Sequence, residues 1–184
     1  MTTRLLTVLL LCLPMTLVAE PNAKDQIVDL PGYAFKYSVT TTASKETIWQ
    51  LWYDVENWKS FDERLIYSYL EDGYEFENGA IGYLKGKGTP SRTKFELKNI
   101  QPGVSFEEEL KLPLYQTVLL KRYFEPSEDS TTTFTHEVVF QGSLAWLFTL
   151  FLEGPFKGDI ILVMNKMREL AESKQDSDQD SKNL

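Results

Sequence analysis

The chain has 184 residues, 42% of them hydrophobic and 25% charged, which is enough apolar material for the core of one soluble domain. Its formal net charge of −8 repels phosphate backbones, and no basic stripe with interleaved aromatics offsets that charge, so nucleic-acid binding is excluded as an expectation. The same acidity disfavours long-range attraction to anionic lipid headgroups.

Met1 to Arg4 gives a short basic start, and Leu5 to Val18 is almost wholly apolar, with Pro14 as a breaker. Small Ala19 stands just before Glu20-Pro21. This is the pattern of a signal peptide over 1–19, and it predicts an exported protein, periplasmic or secreted. The apolar run is about 14 residues, short of the ~20 that span a bilayer as a helix; a retained anchor is the alternative. Cys12, the only cysteine, lies inside the run, so the predicted mature chain has no thiol for a disulfide, for catalysis or for a metal. No Asn-x-Ser/Thr sequon occurs, which favours a bacterial periplasm.

Residues 20–31 are polar without clear periodicity and read as a leader. Phe35, Tyr37 and Val39 then alternate with Lys36, Ser38 and Thr40, the signature of a half-buried strand. Ser44 is a good N-cap, and Ile48, Leu51, Trp52 and Val55 fall on one helical face. Asn57 to Phe61 breaks that period and predicts a second, short helical turn. From Leu65 to Gly142 the chain is punctuated by turn dipeptides such as Asp72-Gly73, Asn78-Gly79 and Leu112-Pro113. They leave six strands near 66–76, 80–88, 92–100, 104–112, 116–125 and 131–141, spaced as sequential antiparallel hairpins. Leu144 to Leu152 is apolar on every side, as in a buried helix or one that meets lipid or ligand. Gly154-Pro155 and Gly158 predict a kink or break, after which Ile160 to Ala171 resumes as an amphipathic helix. The polar, low-complexity segment 173–184 reads as a disordered tail.

One domain over 32–172 remains. Its element order predicts an α+β, helix-grip architecture: a seven-stranded curved antiparallel sheet wrapped around a long C-terminal helix, with apolar room between the two.

Several segments resemble the START-like/SRPBCC superfamily of polyketide cyclase/dehydrase and lipid-transport-like proteins. They are the opening strand into Ser44-Lys45-Glu46-Thr47-Ile48-Trp49, then Asp54-Val55-Glu56-Asn57-Trp58, Gly79-Ala80-Ile81-Gly82, and Thr132 to Gly142 leading into the last helix. The resemblance covers nearly all of 34–171 and implies the helix-grip fold and a ligand pocket. It implies no particular reaction, because the superfamily includes lipid carriers, hormone receptors and cyclases.

His136, the sole histidine, shares strand parity with Phe134 and Val138 on the face assigned to the cavity. A histidine there can act as acid, base or hydrogen-bond donor, which makes it a weak catalytic candidate; the alternative is a structural histidine. The predicted ligand-binding set is Tyr37, Tyr69, Tyr83, Phe95, Phe134, His136, Val138, Leu147 and Phe151. Arg92 and Arg122 are candidates to meet a ligand carboxylate, with surface ion pairs as the alternative. Glu107-Glu108-Glu109 alternate faces on a strand and read as a solvated edge. No P-loop, dinucleotide glycine motif, HExxH or paired-cysteine motif occurs, so no cofactor and no metal are expected.

Trp146, Phe148 and Phe151 cannot all point the same way on one helix, so some should face the pocket mouth or solvent, as a patch for a membrane or a protein. The leading functional reading is an exported, non-catalytic carrier or sensor of a lipid-like or other hydrophobic small molecule. Alternatives are a cyclase/dehydratase- or hydrolase-type enzyme using His136, and a docking module using the aromatic start of the last helix, with transient membrane contact.

Overall fold

A computed structural model describes residues 25–126 and 130–182, with side chains described as far as Ser177. The predicted signal segment 1–19 lies outside the described residues.

Eight strands form one sheet in the order β1-β2-β8-β7-β6-β5-β4-β3, rather than the seven expected. The additional strand is β1 (Gln26–Leu30), inside the stretch read as a leader. It pairs antiparallel with β2 (Ala34–Thr41), with Ile27 opposite Tyr37, across a turn in which Gly32 (φ 78°) and Tyr33 (φ 60°) take left-handed conformations. β1 carries little periodicity because it is an edge strand: its hydrogen bonds come from β2, and of its side chains Ile27 packs against the core.

α1 (Lys45–Tyr53) starts as expected, with the Ser44 hydroxyl accepting from the Thr47 N–H at 3.1 Å. Ile48, Leu51 and Trp52 form its buried face. A 3₁₀ turn (Val55–Ser60) follows and is locked by the Trp58 Nε1–H, which donates to the Trp52 carbonyl at 2.9 Å. These elements carry the chain from one side of the sheet to β3 (Leu65–Leu70) at the opposite edge. The strands then run as a meander: β4 (Ile81–Gly86), β5 (Thr93–Gln101), β6 (Ser105–Lys111), β7 (Thr117–Glu125) and β8 (Thr132–Gln141), each antiparallel to its neighbour. β8 finally pairs with β2, Tyr37 opposite His136.

Strand alternation gives the sheet two unlike faces. The outer face carries ion pairs between strands: Lys36 with Glu125 (2.9 Å), Lys98 with Glu109 (3.0 Å) and Lys121 with Glu137 (2.7 Å). The inner face is apolar and packs against α1 and α2 (Ala145–Lys182). Ile160, Val163, Met164, Met167 and Ala171 recur at helical spacing on α2 and are buried.

α2 differs from expectation in two ways. It continues without a break through Gly154-Pro155 and Gly158, where a kink or break was predicted. Proline inside a helix costs about 3 kcal/mol, but contacts hold both flanks. Phe156 packs on Phe140 at 5.6 Å, Lys157 pairs with Glu153 at 2.6 Å, and Asp159 pairs with Arg64. The helix also runs on past Glu172 to Lys182, through most of the segment read as a tail. Glu172 accepts from the Thr41 hydroxyl (2.8 Å) and the Thr42 N–H (3.3 Å), and Gln175 accepts from the Ser44 N–H (2.8 Å). These side chains clamp the β2–α1 connection, so the expected boundary at 172 falls inside the helix.

Candidate functional site

Register places three charged or titratable side chains together on the inner face. His136 on β8 lies opposite Arg122 on β7, and Arg122 lies opposite Phe106 on β6. Glu108, two residues beyond Phe106, points to the same side. Arg122 Nη1 is 2.7 Å from Glu108 Oε2. The guanidinium also lies 5.0 Å from the Trp58 ring centre and 5.1 Å from that of Phe106, within cation–π reach. The His136 ring is tilted over Trp52 at 6.0 Å.

The group is almost sealed from water: Glu108 and His136 are each 1% exposed and Arg122 8%. Part of its hydrogen-bonding capacity is unused. Glu108 and Arg122 meet each other as an ion pair. Both nitrogens of His136, Nε of Arg122 and Trp52 Nε1 have no hydrogen-bond partner among the described residues. A buried polar group left in this state costs about 1–3 kcal/mol.

Burial, reinforced by the positive charge of Arg122, holds the His136 imidazole well below its ordinary pKa, so it is neutral at pH 7. Burial also pushes the Glu108 carboxyl up, against the pull of Arg122. A paired carboxylate and guanidinium next to a neutral imidazole offer both donors and acceptors with little net charge.

The residues predicted from sequence divide between the two faces. Tyr37, Phe95, Phe134, His136 and Val138 are buried on the inner face. The Tyr37 hydroxyl meets Asn165 of α2 at 3.5 Å, and burial raises its pKa. Tyr69 and Tyr83 lie on the outer face instead. The inward positions are their neighbours Leu70 and Gly82, the latter opposite buried Phe95. Gly82 has no side chain to betray its direction, and a Cβ there would sit 2.1 Å from the Phe95 ring. Tyr69 and Tyr83 pack with Arg92, whose guanidinium lies 3.8 Å over the Tyr83 ring and donates to the Tyr69 hydroxyl at 2.5 Å. Leu147 is half-buried at the start of α2, and Phe151 is 68% exposed.

Sequence reasoning missed Glu108. The three glutamates do alternate, but only Glu107 and Glu109 face outward, where they meet Asn99 (2.7 Å) and Lys98 (3.0 Å). The signal is Phe106 and Leu110, two residues to either side, which are buried and mark Glu108 as inward.

The apolar room expected between sheet and helix is occupied by the chain's own side chains, including Phe35, Trp52, Phe106, Phe134, Met164 and Met167, all less than 2% exposed. Two clefts open elsewhere. One, of about 810 Å³, lies between the end of α1 and the β3–β4 connection and is rimmed by Asp54, Glu56, Glu71, Asp72 and Glu75. The other, about 390 Å³, separates the Phe61–Arg64 turn from α2 at Leu162 and Lys166. Neither is lined by His136 or its neighbours. Among the described residues no group of three or more His, Cys, Asp or Glu is placed to hold a metal ion.

No protein-family pattern matches the chain, and no curated protein matches it in sequence. Solved structures do match in shape. A protein of Arthrobacter aurescens superposes with a TM-score of 0.63 at 15% identity, covering 80% of this chain and 91% of that one. The di-domain ARO/CYC StfQ of the steffimycin biosynthetic pathway gives a TM-score of 0.61 at 12% identity over 78% of this chain, which spans 51% of StfQ. Ara h 8.0201 gives 0.55 at 12% identity, covering 73% of this chain and 96% of that one. At such identities the likeness is one of fold, a large antiparallel sheet with a long C-terminal helix.

Proposed function

We propose that this chain is an exported binding or carrier protein for a lipid-like or other hydrophobic small molecule, held between the inner face of the sheet and α2, and that it belongs to the START-like/SRPBCC superfamily. The observation that carries the reading is the buried Glu108–Arg122–His136 cluster, an ion pair beside a histidine neither of whose nitrogens has a hydrogen-bond partner among the described residues, within an otherwise apolar interior. Buried polar groups in folded proteins are nearly always satisfied, and an unsatisfied set marks a place where something else supplies the partners. A greasy molecule with one polar end does so: its body replaces side-chain packing, and its polar group bonds to the cluster. Entry requires α2 to part from the sheet. Its first half is the part that leaves large apolar side chains exposed, at Trp146, Leu150 and Phe151. Export rests on the pattern of residues 1–19.

Native mass spectrometry of the protein purified from its own compartment tests this directly, paired with thermal shift against a panel of lipids and aromatics. The expected result is a co-purifying small molecule and a raised melting temperature. Ligand at one hundred times its Kd adds about 2.7 kcal/mol to stability. His136→Gln and Glu108→Gln should diminish the ligand-induced shift. An empty protein with a flat response across the panel overturns the reading.

A further inference from the structure

We propose that the start of α2 and the β6–β7 loop together form a docking surface for an electrically neutral, zwitterionic lipid bilayer. On α2, Ala145, Phe148, Leu152 and Phe156 turn inward against the core. The residues on the opposite side are apolar too: Trp146 is 52% exposed, Leu150 71% and Phe151 68%. A helix resting on a soluble domain normally turns polar residues outward at these positions. The β6–β7 loop adds Leu114 at 65% and Tyr115 at 100% exposure. Both have left-handed backbones, φ 59° and 57°, which non-glycine residues rarely adopt. The loop thus holds a strained shape that displays a leucine and a tyrosine to solvent.

Gln116 makes the two parts one surface. Buried to 2% exposure, it accepts from the Leu144 N–H at 3.0 Å and donates to the Leu114 carbonyl at 2.8 Å. Gly142 (φ 121°) makes room for it, since a Cβ there would lie 2.2 Å from Gln116 Oε1. The loop tip is therefore tied to the first turn of the helix.

The charge pattern selects the occupant. No charged residue occurs from Gln141 to Leu152. The nearest charges are tied up in ion pairs: Lys157 is shared by Glu153 at 2.6 Å and Asp29 at 2.5 Å, and Lys111 pairs with Glu109. The chain as a whole carries a net charge of −8, which repels anionic surfaces. Trp and Tyr flanked by Leu and Phe, on a projecting end with no fixed charge, match the headgroup–acyl boundary of a neutral membrane. A projecting, fully solvated tyrosine penetrates a fluid interface without needing a pre-shaped partner.

This inference does not rest on the buried cluster. The test is vesicle flotation of the chain with phosphatidylcholine alone and with added phosphatidylglycerol, at low and high salt. Binding to phosphatidylcholine that salt leaves unchanged and anionic lipid does not strengthen is expected. Leu150→Ser/Phe151→Ser should weaken it about tenfold or more, since two large apolar side chains leave the membrane. Tyr115→Ser should weaken it less, and neither variant should shift the melting temperature appreciably, because these side chains are solvated. His136→Gln should float like the parent, so loss of ligand binding and loss of membrane binding are separable. Absence of flotation, binding confined to anionic vesicles and abolished by salt, or parental binding by the Leu150/Phe151 double variant overturns the proposal. So does a dimer that this double variant dissociates, in a chain that ignores vesicles, because the face then serves a second copy.

Discussion

Arg122 brings Glu108 into the interior and cannot do without it. Two opposite charges at 2.7 Å in a nearly dry site stabilise each other mainly by cancelling what each would cost alone. Removing one partner is worse than removing both. Glu108→Leu should destabilise the fold by about 3–5 kcal/mol, and Glu108→Leu/Arg122→Met should recover most of that loss. Urea unfolding of the two singles and the double measures the coupling, and additive losses would show that the pair is not coupled. His136 predicts a pH dependence. Burial and Arg122 lower its pKa in the folded state, while in the unfolded chain it titrates near about 6.5. The stability tied to its neutral form is therefore complete above about pH 6.5 and declines as pH falls further, because only the unfolded chain takes up the proton. The slope from this group alone approaches about 1.4 kcal/mol per pH unit. Comparing urea midpoints at pH 7.5 and 5.5 for the parent and for His136→Phe checks it: the variant should lose less stability on acidification.

α2 shows how tertiary contacts overrule local sequence. Gly154, Pro155 and Gly158 are solvent-exposed positions with poor helix propensity, yet the helix runs through them because Phe156, Lys157 and Asp159 are anchored on β8, on β1 and next to β3. Beyond its chain neighbours and its own helix backbone, neither glycine has an atom within 4 Å of where a Cβ would stand, and neither has a left-handed backbone. Gly154→Ala should bring no gain in stability, because a Cβ there meets the Pro155 ring. Gly158→Ala should stabilise the protein by about 0.5–1 kcal/mol, read as an upward shift of the thermal midpoint. Gly82 predicts the opposite, since its missing Cβ is the space that the Phe95 ring fills. β6 makes the complementary point. Its alternation of Phe106, Glu108 and Leu110 marks an inward glutamate, while a run of three acidic residues, judged by composition, suggests solvent.

At the scale of the molecule, the sheet is open in order and its two edges are treated differently. β1 covers β2 and is held to α2 by Asp25, paired with Arg168 at 2.5 Å, and by Asp29, paired with Lys157 at 2.5 Å. Removing residues up to Leu30 should lower stability and expose the β2 edge to other chains. Light scattering should then report more self-association than the intact chain shows, and a truncated protein no more associated than its parent would show that β1 does not guard the edge. The α+β architecture, the antiparallel meander, α1 and its Ser44 cap, and the inward parity of Phe134, His136 and Val138 were all determined by sequence, because capping, turn chemistry and strong period-2 or period-3.6 patterns are local. Tertiary structure alone decided the rest. β1 exists because β2 offers it an edge, and Tyr69 and Tyr83 face outward because the register gives the inward places to Leu70 and Gly82, the latter under the Phe95 ring. Three successive strands were needed to gather Glu108, Arg122 and His136, and register between strands is set by packing across the whole sheet, which no single segment encodes.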